Sequence, residues 1–134
     1  MNPQISNYVG KRNLQQLLKS KRSSGILLHI TSLPGPYGIG EIGKEARLFI
    51  DNLADMGQQY WQILPTNNPE TCNSPYDTNS AFAQNPFLIS LDGLIKDRLL
   101  VREDLDPIPN FKTKIIDYKK LKDWKSFILS KAAT

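Results

Sequence analysis

Apolar residues recur at helical spacing in several stretches of the chain and form short unbroken runs in others. Within Lys11 to Lys21, Leu14, Leu17 and Leu18 share one face, which predicts a short amphipathic helix ending near Ser23-Ser24-Gly25. Gly25-Ile26-Leu27-Leu28-His29-Ile30-Thr31-Ser32 is mostly apolar and partly β-branched, the pattern of a strand buried on both faces in a parallel sheet. Leu33 to Gly40 holds three glycines and two prolines, so neither a helix nor a ladder runs through it and a loop is expected. From Lys44 onward, Ala46, Phe49, Ile50, Leu53 and Met56 form a helical stripe, and Gly57 stands where a left-handed C-terminal cap is wanted. Tyr60-Trp61-Gln62-Ile63-Leu64-Pro65 then supplies aromatic and branched residues and stops at proline. The order strand, helix, strand predicts a βαβ unit with parallel strands.

Beyond Pro65 a stretch rich in Asn, Thr, Ser and Pro runs to about Pro86, followed by the short apolar segment Phe87-Leu88-Ile89-Ser90-Leu91. Loops of that length are usually functional or disordered. A helix is expected from Asp92 to Leu100, with Asp92 near its start; Pro107-Ile108-Pro109 breaks the chain. Tyr118, Leu121, Trp124 and Ile128 mark a last amphipathic helix running almost to Thr134. There is no internal repeat. The expected fold class is α/β.

Composition narrows the function classes. With 134 residues, 40% hydrophobic and 22% charged, the chain has the size and balance of one globular domain. Its longest apolar runs fall far short of the roughly 20 residues needed to cross a bilayer, and the first twenty residues show no secretory signal pattern. No membrane partner and a cytoplasmic location are therefore expected. Cys72 is the single cysteine, so no internal disulfide can form, and an incidental thiol is a better reading than a nucleophile. The net charge of +4 is unevenly spread: Met1 to Gly40 and Pro107 to Thr134 are basic, whereas Glu41 to Asp106 is acidic. Because the terminal lysines lie among helical apolar positions rather than exposed aromatics, a solvated helix face is the expectation and nucleic acid is not an expected partner.

Gly38-Ile39-Gly40-Glu41-Ile42-Gly43 spells G-x-G-x-x-G ahead of a helix. A dinucleotide fold also needs the first glycine directly after the strand and an acidic residue closing the second strand. Neither feature is present, since Leu33 to Tyr37 intervene and the second strand ends Leu64-Pro65-Thr66-Asn67. The loop after that strand is the better candidate, because ligands of α/β folds meet the carboxyl ends of the strands. Asn67, Asn68, Asn73, Ser74, Tyr76, Asp77, Asn79 and Asn85 bring amide, hydroxyl and aromatic chemistry there. Amides and hydroxyls exchange hydrogen bonds with sugar hydroxyls, and a tyrosine face covers the apolar side of a sugar ring. Metal binding suits these groups poorly, and turn geometry alone is the competing explanation of their abundance.

The residues themselves resemble a family. Gly25 to Gly35, Tyr37-Gly38-Ile39-Gly40, Trp61 to Pro65, Ser74-Pro75-Tyr76, and Ser80-Ala81-Phe82-Ala83 with Asn85-Pro86 resemble, in order and spacing, the start of the amylomaltases, the 4-α-glucanotransferases or disproportionating enzymes. The resemblance covers about Ser23 to Leu100, and Ile116-Asp117-Tyr118 with the last helix is similar too. It implies an incomplete amino-terminal part of a (β/α)8 TIM barrel of the α-amylase clan. Residues 1–24 would form a basic helix, 25–106 the first βαβ part of the barrel with its substrate loop, and 107–134 a linker and helix opening the next segment.

The implied reaction moves a piece of an α-1,4-glucan to the 4-hydroxyl of an acceptor sugar by retaining double displacement, with no cofactor and no metal. Maltooligosaccharides or α-1,4-glucan are the implied partners. The family's catalytic carboxylates lie on later barrel strands, so no catalytic residue is assigned here, and a barrel needs about 250 residues. A fragment inactive alone, completed by a complementing C-terminal portion, is the expectation; a non-catalytic glucan-binding or regulatory remnant is the alternative. By resemblance Tyr76 lines the donor-sugar subsite with Ser74 beside it, and Asn85 and His29 match motif positions, a satisfied core histidine being the better reading of His29. Asp77 and Gln84 stand where many relatives have glutamine and glycine.

Overall fold

The computed structural model describes residues 22–70, 72–112 and 114–134, so the helix expected within Lys11 to Lys21 lies outside the described residues. Strand β1, Gly25–Leu27, pairs in parallel with β2, Tyr60–Gln62, in the register Gly25 to Tyr60, Ile26 to Trp61 and Leu27 to Gln62. Helix α1, Lys44–Asp55, makes the crossover, and Gly57 follows it at φ 70°, a left-handed conformation that glycine adopts at no steric cost. The expected βαβ unit is therefore present.

Both strands are shorter than the apolar runs that encode them. After Leu28 the chain tightens into a 3-10 turn, Ile30–Ser32, because the His29 ring accepts a hydrogen bond from the Thr31 backbone and offers an alternative to the ladder. The expectation of a strand buried on both faces is corrected: Leu27 is 58% exposed and Tyr60 55%. Among the described residues each strand has only the other as neighbour, and α1 covers one face. That face carries Trp61, whose ring meets Phe49 edge-on at 4.9 Å and whose Nε1 donates to the Leu28 carbonyl at 2.7 Å. Ala46 and Leu53 of α1 are buried, whereas Ile50 and Met56, expected in the same stripe, are exposed.

The rest of the chain packs on the loop after β1. Helix α2, Leu91–Lys96, is shorter than the span expected from Asp92 to Leu100; Ser90 caps it through the Gly93 amide, and Arg98 at φ 61° turns the chain away. Helix α3, Tyr118–Ala132, starts at Asp117, whose side chain accepts from the Lys120 amide. Its inner face carries Leu121, Trp124 and Ile128 as the spacing predicts, and the Trp124 ring stacks on Tyr37 at 6.1 Å.

Lys125 lies on that inner face too, fully buried, which corrects the expectation of a uniformly solvated basic helix. Its ammonium pairs with Glu41 and donates to the Phe87 carbonyl at 2.7 Å, while the other Glu41 oxygen accepts from the Leu91 amide at 3.1 Å. Burial pushes the Glu41 carboxyl up and the Lys125 ammonium down, and their mutual attraction opposes both shifts.

Candidate functional site

The carboxyl ends of β1 and β2 open onto one polar corner. The residues after β1 contribute His29 and Thr31; those after β2 contribute Asn67, Pro69, Asn73, Pro75 and Asn85, and together they enclose a cavity of about 30 Å³. His29 Nδ1 lies 2.7 Å from Thr31 Oγ1, and its Nε2 lies 3.2 Å from the Pro65 carbonyl. A carbonyl can only accept, so Nε2 carries the proton and Nδ1 accepts from the threonine. The Nε2 hydrogen bond ties the end of β1 to the end of β2, while the Nδ1 contact fixes the ring on its own segment.

The long polar loop is folded back on itself. The Asn85 amide donates to the Thr66 carbonyl at 2.8 Å, and Asn67 and Gln84 form an isolated antiparallel bridge that closes the base. Asn67 Nδ2 donates to the Ser80 carbonyl at 3.0 Å, and Ser80 Oγ accepts from the Phe82 and Ala83 amides. At the far end Glu70 and Cys72 are held by Asp77, through its carbonyl and its carboxylate respectively. Thus much of the Asn and Ser content serves turn geometry, as the competing explanation held.

The residues singled out from the sequence divide into two groups. His29 and Asn85 line the cavity; Asn85 is 6% exposed, and its side-chain oxygen caps the turn Pro86–Leu88 by accepting from the Phe87 amide at 2.9 Å. Ser74 and Tyr76 flank Pro75 instead of lining the cavity: Ser74 Oγ accepts from the Tyr76 amide at 3.3 Å, and the Tyr76 ring is 71% exposed. Phe82, in the same loop, is still more open at 91%, a residue the sequence reading quoted in a motif without assigning it to the site. Asp77, noted there as a departure, is the acceptor that organises the Cys72 end of the loop, with both the thiol and the amide of Cys72 directed at its carboxylate.

A larger groove of about 500 Å³ adjoins the corner through Thr31 and is bounded by Leu33, Lys112, Lys114 and Tyr118, whose phenol is pushed up by burial. Among the described residues no group of three or more His, Cys, Asp or Glu could hold a metal ion. No helix there is long and apolar enough to cross a membrane. The chemistry on offer at the corner is neutral: amide, imidazole, hydroxyl and aromatic groups arranged to exchange hydrogen bonds and to stack.

A parallel βαβ unit whose strand ends carry such a corner defines an α/β protein with a polar, uncharged rim. Residues 28–134 match the model of the 4-alpha-glucanotransferase family, glycoside hydrolase 77, and the chain belongs to that family. It is 49% identical over 112 residues to the 4-alpha-glucanotransferase of Synechocystis, an alignment covering 84% of this chain and 22% of that protein. It is 50% identical over 90 residues to the 4-alpha-glucanotransferase of Aquifex aeolicus, covering 66% of this chain and 19% of the relative. Its fold matches the amylomaltase from Streptococcus agalactiae in complex with acarbose with a TM-score of 0.80 at 39% identity, over 84% of this chain and 23% of that one. The chain thus spans about a fifth of the length of the relatives it matches.

Proposed function

We propose that this chain contributes the amino-terminal part of a 4-α-glucanotransferase, which transfers a segment of an α-1,4-glucan to the 4-hydroxyl of an acceptor sugar by retaining double displacement. In this reading β1, α1 and β2 open a (β/α)8 barrel: residues 25–106 are its first βαβ part with the substrate loop, and residues 107–134 lead into the next segment. The observation that carries the reading is the polar corner at the carboxyl ends of two parallel strands, with the Tyr76 ring exposed beside it. Tyr76 stacks on the sugar, Ser74 and Asn85 hold the loop that presents it, and His29 fixes the strand ends beneath. The attacking carboxylate and the proton-donating carboxyl of such a reaction come from strands outside this chain, and the reaction needs no metal or redox cofactor. The working location is the cytoplasm, and the protein partner is a complementing C-terminal portion.

Two measurements test the reading. Maltotriose added to the purified chain should shift the Tyr76 resonances weakly and saturably, a response lost in Tyr76→Ala, with no glucose or longer maltodextrins formed. Co-expression with a polypeptide carrying the remaining barrel strands of a relative should then restore disproportionation. Clear turnover by the chain alone would refute the assignment of the carboxylates elsewhere. Binding without turnover after complementation would instead favour a non-catalytic glucan-binding remnant.

A further inference from the structure

Among the described residues Lys125 is the one charged side chain that is wholly buried. Its ammonium joins three segments that are far apart in sequence: α3, on which it sits, the loop after β1 through Glu41, and the turn Pro86–Leu88 through the Phe87 carbonyl at 2.7 Å. Both partners lead directly to the polar corner. The residue before Glu41, Gly40, donates its amide to the Thr31 carbonyl at 3.1 Å, and Thr31 lines the corner. On the other side the Phe87 amide is held by the Asn85 side chain at 2.9 Å, the Asn85 amide donates to the Thr66 carbonyl at 2.8 Å, and Asn85 lines the corner too. The ammonium therefore ties together the two segments that carry opposite walls of the corner. The Ile42 amide on the Leu88 carbonyl at 2.8 Å and the Leu91 amide on Glu41 at 3.1 Å lace the same segments on either side of it.

Stability does not account for the pair. The desolvation penalty of two buried charges is of the same size as their attraction, and well-packed apolar residues of similar volume often hold such a place as firmly or more so. Apolar packing has no direction, whereas an ammonium that donates to a carboxylate and to a carbonyl fixes the distance and angle between the segments that carry them. Leu121 and Ile128, buried on the same face of α3, hold the lysine backbone rigidly beneath. We propose that Lys125 is a positioning residue: held by Glu41, it sets the turn Pro86–Leu88, and through Asn85 the base of the polar loop, against the end of β1. Its consequence for sugar binding rests on the glucan reading of the corner, to which it adds a residue on α3 that touches no sugar. Neutral hydrogen bonds weaken steeply with misalignment, so the relative placement of the two walls decides how well the corner works.

Amide hydrogen exchange of the full 134-residue chain separates positioning from stability alone. In Lys125→Met combined with Glu41→Leu, which leaves no stranded charge, the Phe87 and Leu88 amides should exchange about tenfold faster relative to the Leu53 amide inside α1, the worth of one lost hydrogen bond to a charged group. Lys125→Cys in a Cys72→Ser background, alkylated while unfolded so that it carries an aminoethyl group, rebuilds an ammonium at nearly the same reach with Glu41 intact, and should return that ratio to the parent's. In the enzyme completed by the remaining barrel strands of a relative, the apolar pair should raise KM for maltotriose by about threefold or more while kcat changes less. Exchange that quickens equally at Phe87, Leu88 and Leu53, or an aminoethyl group that restores nothing, would overturn the proposal, as would a parent-like KM in the apolar variant. If the completed parent enzyme forms no glucose or longer maltodextrins from maltotriose, the glucan reading falls, and the exchange ratio by itself still decides whether Lys125 sets the turn.

Discussion

Lys125 and Glu41, 84 positions apart in sequence, meet in the interior and fasten α3 to the loop that follows β1. The same ammonium holds the Phe87 carbonyl, and Phe87 belongs to the turn that Asn85 caps, so the pair sits directly behind the candidate site. Removing one partner of such a pair strands a charge in a poorly solvated place, an effect of about 3–5 kcal/mol. Lys125→Met should therefore lower the unfolding free energy by about that amount in urea denaturation. Lys125→Met combined with Glu41→Leu should be less destabilised than Lys125→Met alone, because the apolar pair leaves no uncompensated charge. A double variant that falls below the single one would show that the Leu91 and Phe87 backbone contacts, rather than the charges, hold this junction.

Tyr37 gives a pH dependence with a definite sign. Its ring is buried, its hydroxyl donates to Asp92 at 2.6 Å, and it accepts from Arg102 at 2.8 Å. Burial, and then the Asp92 carboxylate, push the phenol up from 10.0 to about 12. A pKa raised by folding means that stability is fully present below the unfolded value and is lost as pH rises through the folded one. The parent chain should thus lose stability between about pH 10 and 12, and absorbance of phenolate at 295 nm should show one tyrosine ionising only near the top of that range. In Tyr37→Phe the late absorbance change should shrink to the part due to Tyr118, whose phenol burial also raises, and the slope of stability against pH in that window should flatten.

The parallel βαβ unit was legible in the sequence. Helix α1 has a stripe of period 3.6 and a glycine stop, and both strands have short apolar runs bounded by breakers, so local pattern was enough. The length of β1 was not legible, because His29 and Thr31 form a local hydrogen bond that competes with the ladder and apolarity alone does not reveal it. Nor was Lys125: at the i+4 position from Leu121 it falls on the apolar face, but its partner Glu41 lies in another element and periodicity contains no distance information of that kind. In the polar loop, composition pointed to Asn and Ser without separating Asn67 and Asn85, which hold the fold, from Asn73, whose carbonyl oxygen is left over.

Two glycines at positive φ separate backbone strain from steric overlap. Gly57 stands at φ 70° with open space where a Cβ would lie, so Gly57→Ala meets only the left-handed backbone penalty, about 1–2 kcal/mol. Gly38 stands at φ 78°, and an added Cβ would lie 2.5 Å from the Phe111 ring. That ring packs edge-on against Trp124 at 5.7 Å and cannot retreat without disturbing α3. Gly38→Ala should therefore cost more than Gly57→Ala by at least about 1 kcal/mol, in line with overpacking of a filled core. Equal losses in thermal denaturation would mean that Phe111 moves freely. The same contact gives the first glycine of the G-x-G-x-x-G string a packing role against an aromatic ring, which is a sufficient reason for its presence without a dinucleotide.

The face of the sheet turned away from α1 carries Leu27 and Tyr60, both more than half exposed. Parallel strands are normally covered on both faces and paired on both edges, and a two-stranded ladder alone offers unpaired backbone groups as well as apolar surface. Burying Leu27 from its present exposure would be favourable by somewhat under the roughly 1.5–3 kcal/mol of a whole leucine side chain, so this face should associate with whatever strand or apolar surface reaches it. The purified chain should accordingly show concentration-dependent light scattering and bind an apolar dye. Leu27→Thr retains a β-branched strand former and removes apolar area, so it should reduce both signals while shifting the thermal midpoint by less than a core substitution such as Leu121→Ala, which costs about 2–5 kcal/mol. Scattering that persists undiminished in Leu27→Thr would place the sticky surface elsewhere, with the exposed side chains Leu48 and Ile50 of α1 and Met56 just after it as the next patch to substitute.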